Sequence, residues 1–226
     1  MSFTPSTTLV SAKTEYEQRD SMSRDILIFA KPPVPGQSKS RLIPLLGAQG
    51  AADAGAELTT NLLKAIAPLA GSSLGFALWL WGASAHPVFA TWTEQFNLRL
   101  SVQDDGGLGQ RMRQCLTTSF ECGAEQALLI GSDCPVMDIA YIRRASAALE
   151  RTDLVLGPAQ DGGYVLIGCK AMHDGLFEHI DWGTDRVLAQ TVAKAQALEL
   201  SVTLLETLWD VDRPEDWLRY CRQGDG

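Results

Sequence analysis

Short apolar runs alternate with stretches of helical spacing along nearly the whole chain, and this alternation restricts the fold more than any other feature. Ile26 to Ala30 is an apolar run that ends in a Pro- and Gly-rich loop, Lys31 to Leu46. Leu58, Leu62, Ile66 and Leu69 then recur every three or four residues, which marks one face of a helix. Phe76 to Trp81 reads as a strand, His86 to Gln95 as a weaker helix and Leu98 to Val102 as a strand. Leu108 to Cys122 is helical, Leu128 to Ile130 is a buried strand, and Ile139, Ile142, Ala145 and Leu149 mark the next helix. The strands Leu154 to Leu156 and Tyr164 to Ile167 are split by the loop Gly157 to Gly163. Helix Thr184 to Ala197, strand Val202 to Leu205 and a helix from Pro214 complete the series. Such a series predicts an α/β fold, a three-layer α/β/α sandwich around a mainly parallel sheet. Ligands of such sheets sit beyond the carboxyl ends of the strands, so the informative loops are those after Ala30, Val102, Ile130 and Leu156.

The 226 residues suit one well-buried domain, expected over residues 25–226, with residues 1–24 as a poorly ordered extension. A formal charge of -8 speaks against nucleic acid or an anionic membrane as partner, because either would be repelled. No apolar run approaches the roughly 20 residues of a membrane span. No signal peptide is visible, and Cys115, Cys122, Cys134, Cys169 and Cys221 form no paired or ligand-like spacing. Free thiols and a cytoplasmic location are the expectation. Oligomeric state is open, since Trp79, Trp81 and Trp92 serve a core or an interface equally well.

An acidic protein that binds an anion needs a local reversal of sign, and one loop supplies it. Lys31, Lys39 and Arg41 fall within eleven residues, and no Asp or Glu occurs between Asp25 and Asp53. Gly36 lets the backbone approach an anion, prolines stiffen the loop, and Lys39 and Arg41 can clamp phosphate oxygens. The spacing is not that of a Walker loop, and the glycines at 106, 107 and 109 do not complete a dinucleotide fingerprint. Gly71 to Gly75 matches the string of a nucleophile elbow but joins a helix to a strand, the reverse of the required order, and reads as a linker.

Three acidic segments follow strands or precede the last helix. Asp133 directly follows a buried strand, where it either binds Mg²⁺ or Mn²⁺, or closes a turn or caps the helix that starts near Asp138. Asp161, in an Asp-Gly-Gly turn, can accept hydroxyl hydrogen bonds or act as a base. Asp212 and Glu215 have capping-box spacing, so Asp212 is either a helix cap or a metal ligand, and Asp210 is the freer ligand candidate. His86, His173 and His179 show no ligand spacing, and Trp182 to Thr184 reads as a helix entry.

Together these segments resemble a MobA-like family of nucleotide-diphospho-sugar transferase type, labelled domain of unknown function 2064 (DUF2064). The resemblance rests on Phe29–Leu42 (FAKPPVPGQSKSRL), Gly107–Met112 (GLGQRM), Gly131–Pro135 (GSDCP), Gly157–Tyr164 (GPAQDGGY), Trp182–Thr184 (WGT) and Asp210–Asp216 (DVDRPED). It implies the nucleotide-diphospho-sugar transferase fold, GT-A-like and Rossmann-like, and a glycosyltransferase activity, linked in some members to arsenosugar synthesis. The chain is also similar to the guanylyltransferase that activates 2-phospholactate. By this likeness Lys31, Gly36, Lys39 and Arg41 match the phosphate loop and Asp133 the metal position. Gln103 becomes the candidate for reading the base, with Gly109 and Arg111 beside the nucleotide. Gly107 stands where Asp is usual, Ser40 where Thr is usual, and Arg213 where a capping Thr is usual.

The expected function is therefore a metal-dependent glycosyltransferase acting on a nucleotide-sugar and a small-molecule acceptor. Lys39 and Asp161 are its candidate catalytic residues, and Asp133, Asp210 and Asp212 its candidate ligands for Mg²⁺ or Mn²⁺. A nucleotidyltransferase that joins an NTP to a phosphorylated acceptor uses the same loop. A non-catalytic nucleotide-binding scaffold is the third reading.

Overall fold

The computed structural model describes residues 23–70, 72, 75–83 and 86–224. Residues 1–22 of the expected extension and most of the Gly71 to Gly75 linker lie outside the described residues. The centre of the fold is β1 (Arg24–Ala30), whose side chains alternate between two cores. Ile26, Ile28 and Ala30 enter one apolar cluster, and Leu27 enters the other. This two-sided burial is why the run is apolar throughout.

Strands β2 (Phe76–Gly82) and β3 (Arg99–Val102) extend the sheet on one side of β1, both parallel to their neighbours. Strands β4 (Gln126–Gly131), β5 (Leu154–Pro158), β6 (Tyr164–Cys169) and β7 (Val202–Leu204) complete it on the other side. The order of the seven strands is β3-β2-β1-β4-β6-β5-β7. Helices α1 (Ile43–Ile66), α2 (Pro87–Phe96) and α4 (Ile139–Leu149) cover one face, contributing Leu63, Ile66, Phe89, Trp92, Ile142 and Leu149 to its core. Helices α3 (Leu108–Glu121) and α5 (Val187–Ala197) cover the other with Met112, Cys115, Leu116 and Ala195. The expected three-layer α/β/α arrangement is present. Trp79, Trp81 and Trp92 are core residues, 8%, 5% and 4% exposed. Among the described residues no helix is long and apolar enough to cross a membrane.

Strand β6 alone runs against the others: it pairs antiparallel with both β4 and β5. The cause is the short loop between β5 and β6, because a parallel crossover needs a dozen residues or so. Here a tight turn suffices, with Ala159 N–H donating to Gly163 O and Gly162 at φ +87. The turn therefore lies at the same sheet edge as the carboxyl ends of β1 and β4.

Two expected boundaries move. The loop read as Lys31 to Leu46 ends earlier, in a 3-10 turn over Ser40–Leu42 followed by α1. Pro44 occupies the first helical turn, where no intrahelical N–H is needed, and Gly47 sits at a kink with φ 70. The helix expected from Thr184 begins at Val187 instead, because the Thr184 hydroxyl donates to Asp181 O in a turn.

Helix α6 (Pro214–Gly224) packs outside the sandwich through Trp217 and Tyr220, against a third cluster of Leu42, Ala51, Ala54, Leu58, Trp209 and Val211. Tyr220 Oη donates to Glu57 Oε1 at 2.7 Å and accepts from Asn61 Nδ2 at 2.7 Å, fixing α6 to α1.

Sheet packing is tightest around Gly168 of β6. A Cβ there would lie 2.4 Å from Leu128 Cδ2 and 2.7 Å from Val155 Cγ1. Gly168→Ala is expected to destabilise the fold by about 1–3 kcal/mol through overpacking. Urea unfolding tests this; an unchanged midpoint would show that the sheet relaxes freely at β6.

Candidate functional site

The chain leaves β1 for β2 and β3 on one side and returns to β4 on the other, so the crevice beyond β1 and β4 is a topological switch point. The loop after β1 and the loop after β4 face each other across it. In the first, Val34 O accepts from the N–H groups of Gln37 and Ser38, a reversal made possible by Gly36 at φ +82. Ser38 is buried against Gly55 of α1, where a Cβ would come within 2.7 Å of its hydroxyl. This contact pins the loop to the helix.

Lys39 follows in the left-handed region, φ 47 and ψ 43, a conformation that costs a non-glycine residue about 1–2 kcal/mol. Its side chain is 14% exposed. Nζ donates to Asp133 Oδ2 at 2.9 Å and to Val211 O at 2.5 Å. Val211 N–H in turn donates to Asp133 O at 3.0 Å. Arg41 pairs with Asp212, a second tie between the same loop and the segment before α6.

These segments border a cleft of about 600 Å³, lined also by Lys31, Thr59, Gln103, Arg111, Asp161, Trp182 and Asp210. Of the residues anticipated for the site, Lys31, Lys39, Arg41, Gln103, Arg111, Asp133, Asp161, Asp210 and Asp212 all line it. Gly36 and Gly109 do not line it: the first shapes the turn before it, and the second lies behind Trp182. Asp161 is exposed, and its Oδ1 accepts from Gly163 N–H at 2.8 Å in the turn between β5 and β6.

The carboxylates differ electrostatically. Burial works to raise the Asp133 carboxyl, but Lys39, by charge and hydrogen bond, and Lys31 more than offset it and hold the group below the usual range. Asp210 is pushed up to about 7, first by burial and then by the charges of Asp133 and Asp161, with Lys39 opposing. Carboxyl groups driven apart in this way within one cleft make it the candidate functional site.

At the other end of the cleft Gln103 is buried and held at both ends of its amide. Its Nε2 donates to Trp81 O at 2.8 Å, and its Oε1 accepts from Arg111 Nη1 at 2.9 Å. The side chain expected to read a base also orients Arg111. Gly109 owes its identity to the Trp182 indole, which a Cβ would approach to 2.8 Å. Trp182, read from sequence as a helix entry, is a wall of the cleft and meets Tyr164 edge-on.

Both capping alternatives resolve against the anticipated residues. Asp138, not Asp133, caps α4, accepting from Tyr141 N–H at 2.7 Å. Asp216 serves the entrance of α6, accepting from the N–H groups of Asp212 and Arg213. The Asp212 carboxylate is turned to Arg41 instead. At the start of α3 the Gln110 side chain accepts from Gly107 N–H at 3.0 Å. Among the histidines, His86 caps α2 by accepting from Val88 N–H.

Among the described residues no three of His, Cys, Asp or Glu converge into a closed metal centre. The donor chemistry still suits Mg²⁺ or Mn²⁺, which bind through one or two carboxylates and take their other oxygens from phosphate and water. Asp133 and Asp210, both lining the cleft, are hard oxygen donors of this kind.

Residues 69–184, more than half the chain, match the family described as uncharacterized proteins conserved in bacteria, DUF2064. The chain belongs to the DUF2064 family. The match contains Gln103, Gly109, Arg111, Asp133, Asp161 and Trp182; the cationic loop and the segment before α6 lie outside it. No curated protein matches the chain in sequence. A protein from Desulfovibrio desulfuricans G20, assigned to the nucleotide-diphospho-sugar transferases, superposes with a TM-score of 0.76 at 29% identity, covering 90% of this chain and 88% of its own. A nucleotidyl transferase from Methanothermobacter thermautotrophicus shares the fold at 15% identity and a TM-score of 0.64, covering 90% of this chain and 98% of its own. So does glucosyl-3-phosphoglycerate synthase from Mycobacterium tuberculosis, solved with Mn²⁺ and UDP, at 11% identity and 0.56, covering 97% and 81%. This DUF2064 protein has the nucleotide-diphospho-sugar transferase fold.

The raised Asp210 carboxyl has a pH consequence. Between about pH 4, where an unfolded Asp ionises, and pH 7, the folded state binds more protons than the unfolded one, so stability falls as pH rises. Asp210→Asn removes this dependence. In metal-free buffer the variant is expected to match wild type below pH 4 and to unfold at a higher temperature than wild type at pH 8. A gap independent of pH would contradict the assignment.

Proposed function

We propose that this protein is a metal-dependent glycosyltransferase that moves a sugar from a nucleotide-sugar to the hydroxyl of a small acceptor. The coarser class, a nucleotide-dependent transferase, rests on its family and fold. The observation that carries the finer reading is the meeting of Lys31, Lys39 and Arg41 with Asp133, Asp161 and Asp210 in one cleft at the switch point. Cations there suit a diphosphate, and carboxylates there suit a divalent ion and an acceptor hydroxyl.

In this scheme Lys31, Lys39 and Arg41 hold the diphosphate, and Arg111, oriented by Gln103, lies beside the nucleotide. Asp133 and Asp210 are the residues that would hold Mg²⁺ or Mn²⁺, whose charge when bound neutralises the leaving diphosphate. Arg41 holds Asp212 by an ion pair, so Asp212 serves the site through Arg41 more directly than as a ligand. Asp161 has one oxygen fixed by Gly163 N–H, which leaves the other to take the acceptor proton. The acceptor oxygen bonds to the anomeric carbon, the bond from that carbon to the diphosphate breaks, and the nucleoside diphosphate departs. Cys115, Cys122, Cys134, Cys169 and Cys221 are free thiols, which supports a reducing, cytoplasmic setting.

Nucleotidyl transfer is the second reading, favoured by the third cation, Lys31, which suits a triphosphate better than a diphosphate. The products separate the two. A nucleotide-sugar that yields free nucleoside diphosphate and a glycosylated acceptor supports the glycosyltransferase. Pyrophosphate released from an NTP and a phosphorylated acceptor would replace it. On the productive substrate, Asp133→Ala and Asp161→Asn are each expected to lower kcat/KM by about 10²–10⁴-fold. Unchanged turnover in either variant removes the role assigned to that residue.

A further inference from the structure

The cation that meets Asp133 in this structure is the protein's own. Lys39 Nζ lies 2.9 Å from Asp133 Oδ2 and 2.5 Å from Val211 O, and it is drawn inward from the cationic loop. Lys39 is one of four non-glycine residues with positive φ among the described residues. One of the others, Asn97, terminates a helix. Lys39 precedes the 3-10 turn Ser40–Leu42 but makes no side-chain cap bond to it; its side chain lines the cleft instead.

An ammonium and a divalent ion repel strongly at the separation that sharing one carboxylate oxygen would impose. Lys39 and a metal ion therefore compete for Asp133. The competition need not disturb the loop, because Ser38 anchors the backbone beside Lys39 against Gly55. The lysine stem can carry Nζ to a phosphate oxygen in the same cleft by side-chain rotation alone.

We propose that Lys39 is an internal counter-ion for the Asp133 carboxylate, released by phosphate, so that the divalent ion and the nucleotide's phosphates bind in synergy. A phosphate oxygen draws Nζ away from Asp133, and the uncovered carboxylate becomes available to the ion. The ion alone binds weakly, since it must displace Lys39 with nothing to receive the ammonium. By linkage, each ligand then tightens the other by the same factor. This inference rests on the metal reading of Asp133 given above.

The test is Mn²⁺ binding, followed by the electron paramagnetic resonance signal of the free ion, with no turnover involved. Lys39→Met is expected to bind Mn²⁺ alone about 5- to 150-fold more tightly than wild type, the range of ordinary coupling between sites. Lys39→Arg should stay as weak as wild type. Inorganic phosphate, corrected for its own complexation of the ion, should tighten Mn²⁺ in wild type and not in Lys39→Met. Adding Asp133→Asn should abolish the gain. Circular dichroism checks folding, and Lys39→Gln is the second neutral variant should Lys39→Met not fold. Equal Mn²⁺ affinity in wild type and both neutral variants would overturn the counter-ion role and leave the metal site standing. No Mn²⁺ binding in any form, with or without phosphate, would remove the metal reading and this inference together.

Discussion

The contact between Lys39 and Asp133 joins three parts of the chain that are remote in sequence: the loop after β1, the loop after β4 and the segment before α6. Each has its own reason for being there. The strand order sets β1 beside β4, so their following loops must share one edge of the sheet. The third part is carried in by apolar burial, because Trp209 and Val211 flank Asp210 and pack with Leu42, Ala54 and Leu58. Asp210 is thus fixed in place by hydrophobic contacts on either side of it.

The same geometry explains how an acidic protein can offer a site to an anion. Its net charge of -8 is spread over the chain, whereas Lys31, Lys39 and Arg41 are concentrated at one crevice. Two of these cations are matched by carboxylates from the opposite wall. The crevice is therefore close to internally neutral, and its environment, not its composition, makes Asp133 a stronger acid and Asp210 a weaker one. Two like groups with such different surroundings can take different tasks on one substrate.

Most of the fold was legible because it follows from periodicity. Ile26 to Ala30 and Leu128 to Ile130 are apolar on both faces, which only a strand covered on both sides requires. The direction of β6 was not legible as a pattern, since a reversed strand has the same alternation, although the shortness of the Gly157 to Gly163 loop implied it. The start of α1 was hidden by Pro44 and Gly47, which signal loops in general and here occupy a first turn and a kink. In the site, Lys31, Asp133 and Asp161 were singled out because each lies just after a strand. What escaped were pairings set by tertiary contact: Gln103 bonded to Arg111, Gly109 shaped by Trp182, and Asp212 turned to Arg41 while Asp216 serves the helix. Spacing cannot distinguish Asp212 from Asp216 as the helix partner, because Arg41, 171 positions away, decides it.

Thermal unfolding tests most directly whether this cleft binds a nucleotide's phosphates together with a divalent ion. The protein would be heated with nucleoside diphosphates, nucleotide-sugars and NTPs, each with and without Mn²⁺. A ligand at about 100 times its Kd adds about 2.7 kcal/mol, which in a chain of this size raises the midpoint by roughly 5–10 °C. Such a shift is expected for one nucleoside diphosphate and its sugars, with Mn²⁺ present. Midpoints unchanged by every nucleotide, with or without the ion, would contradict that binding.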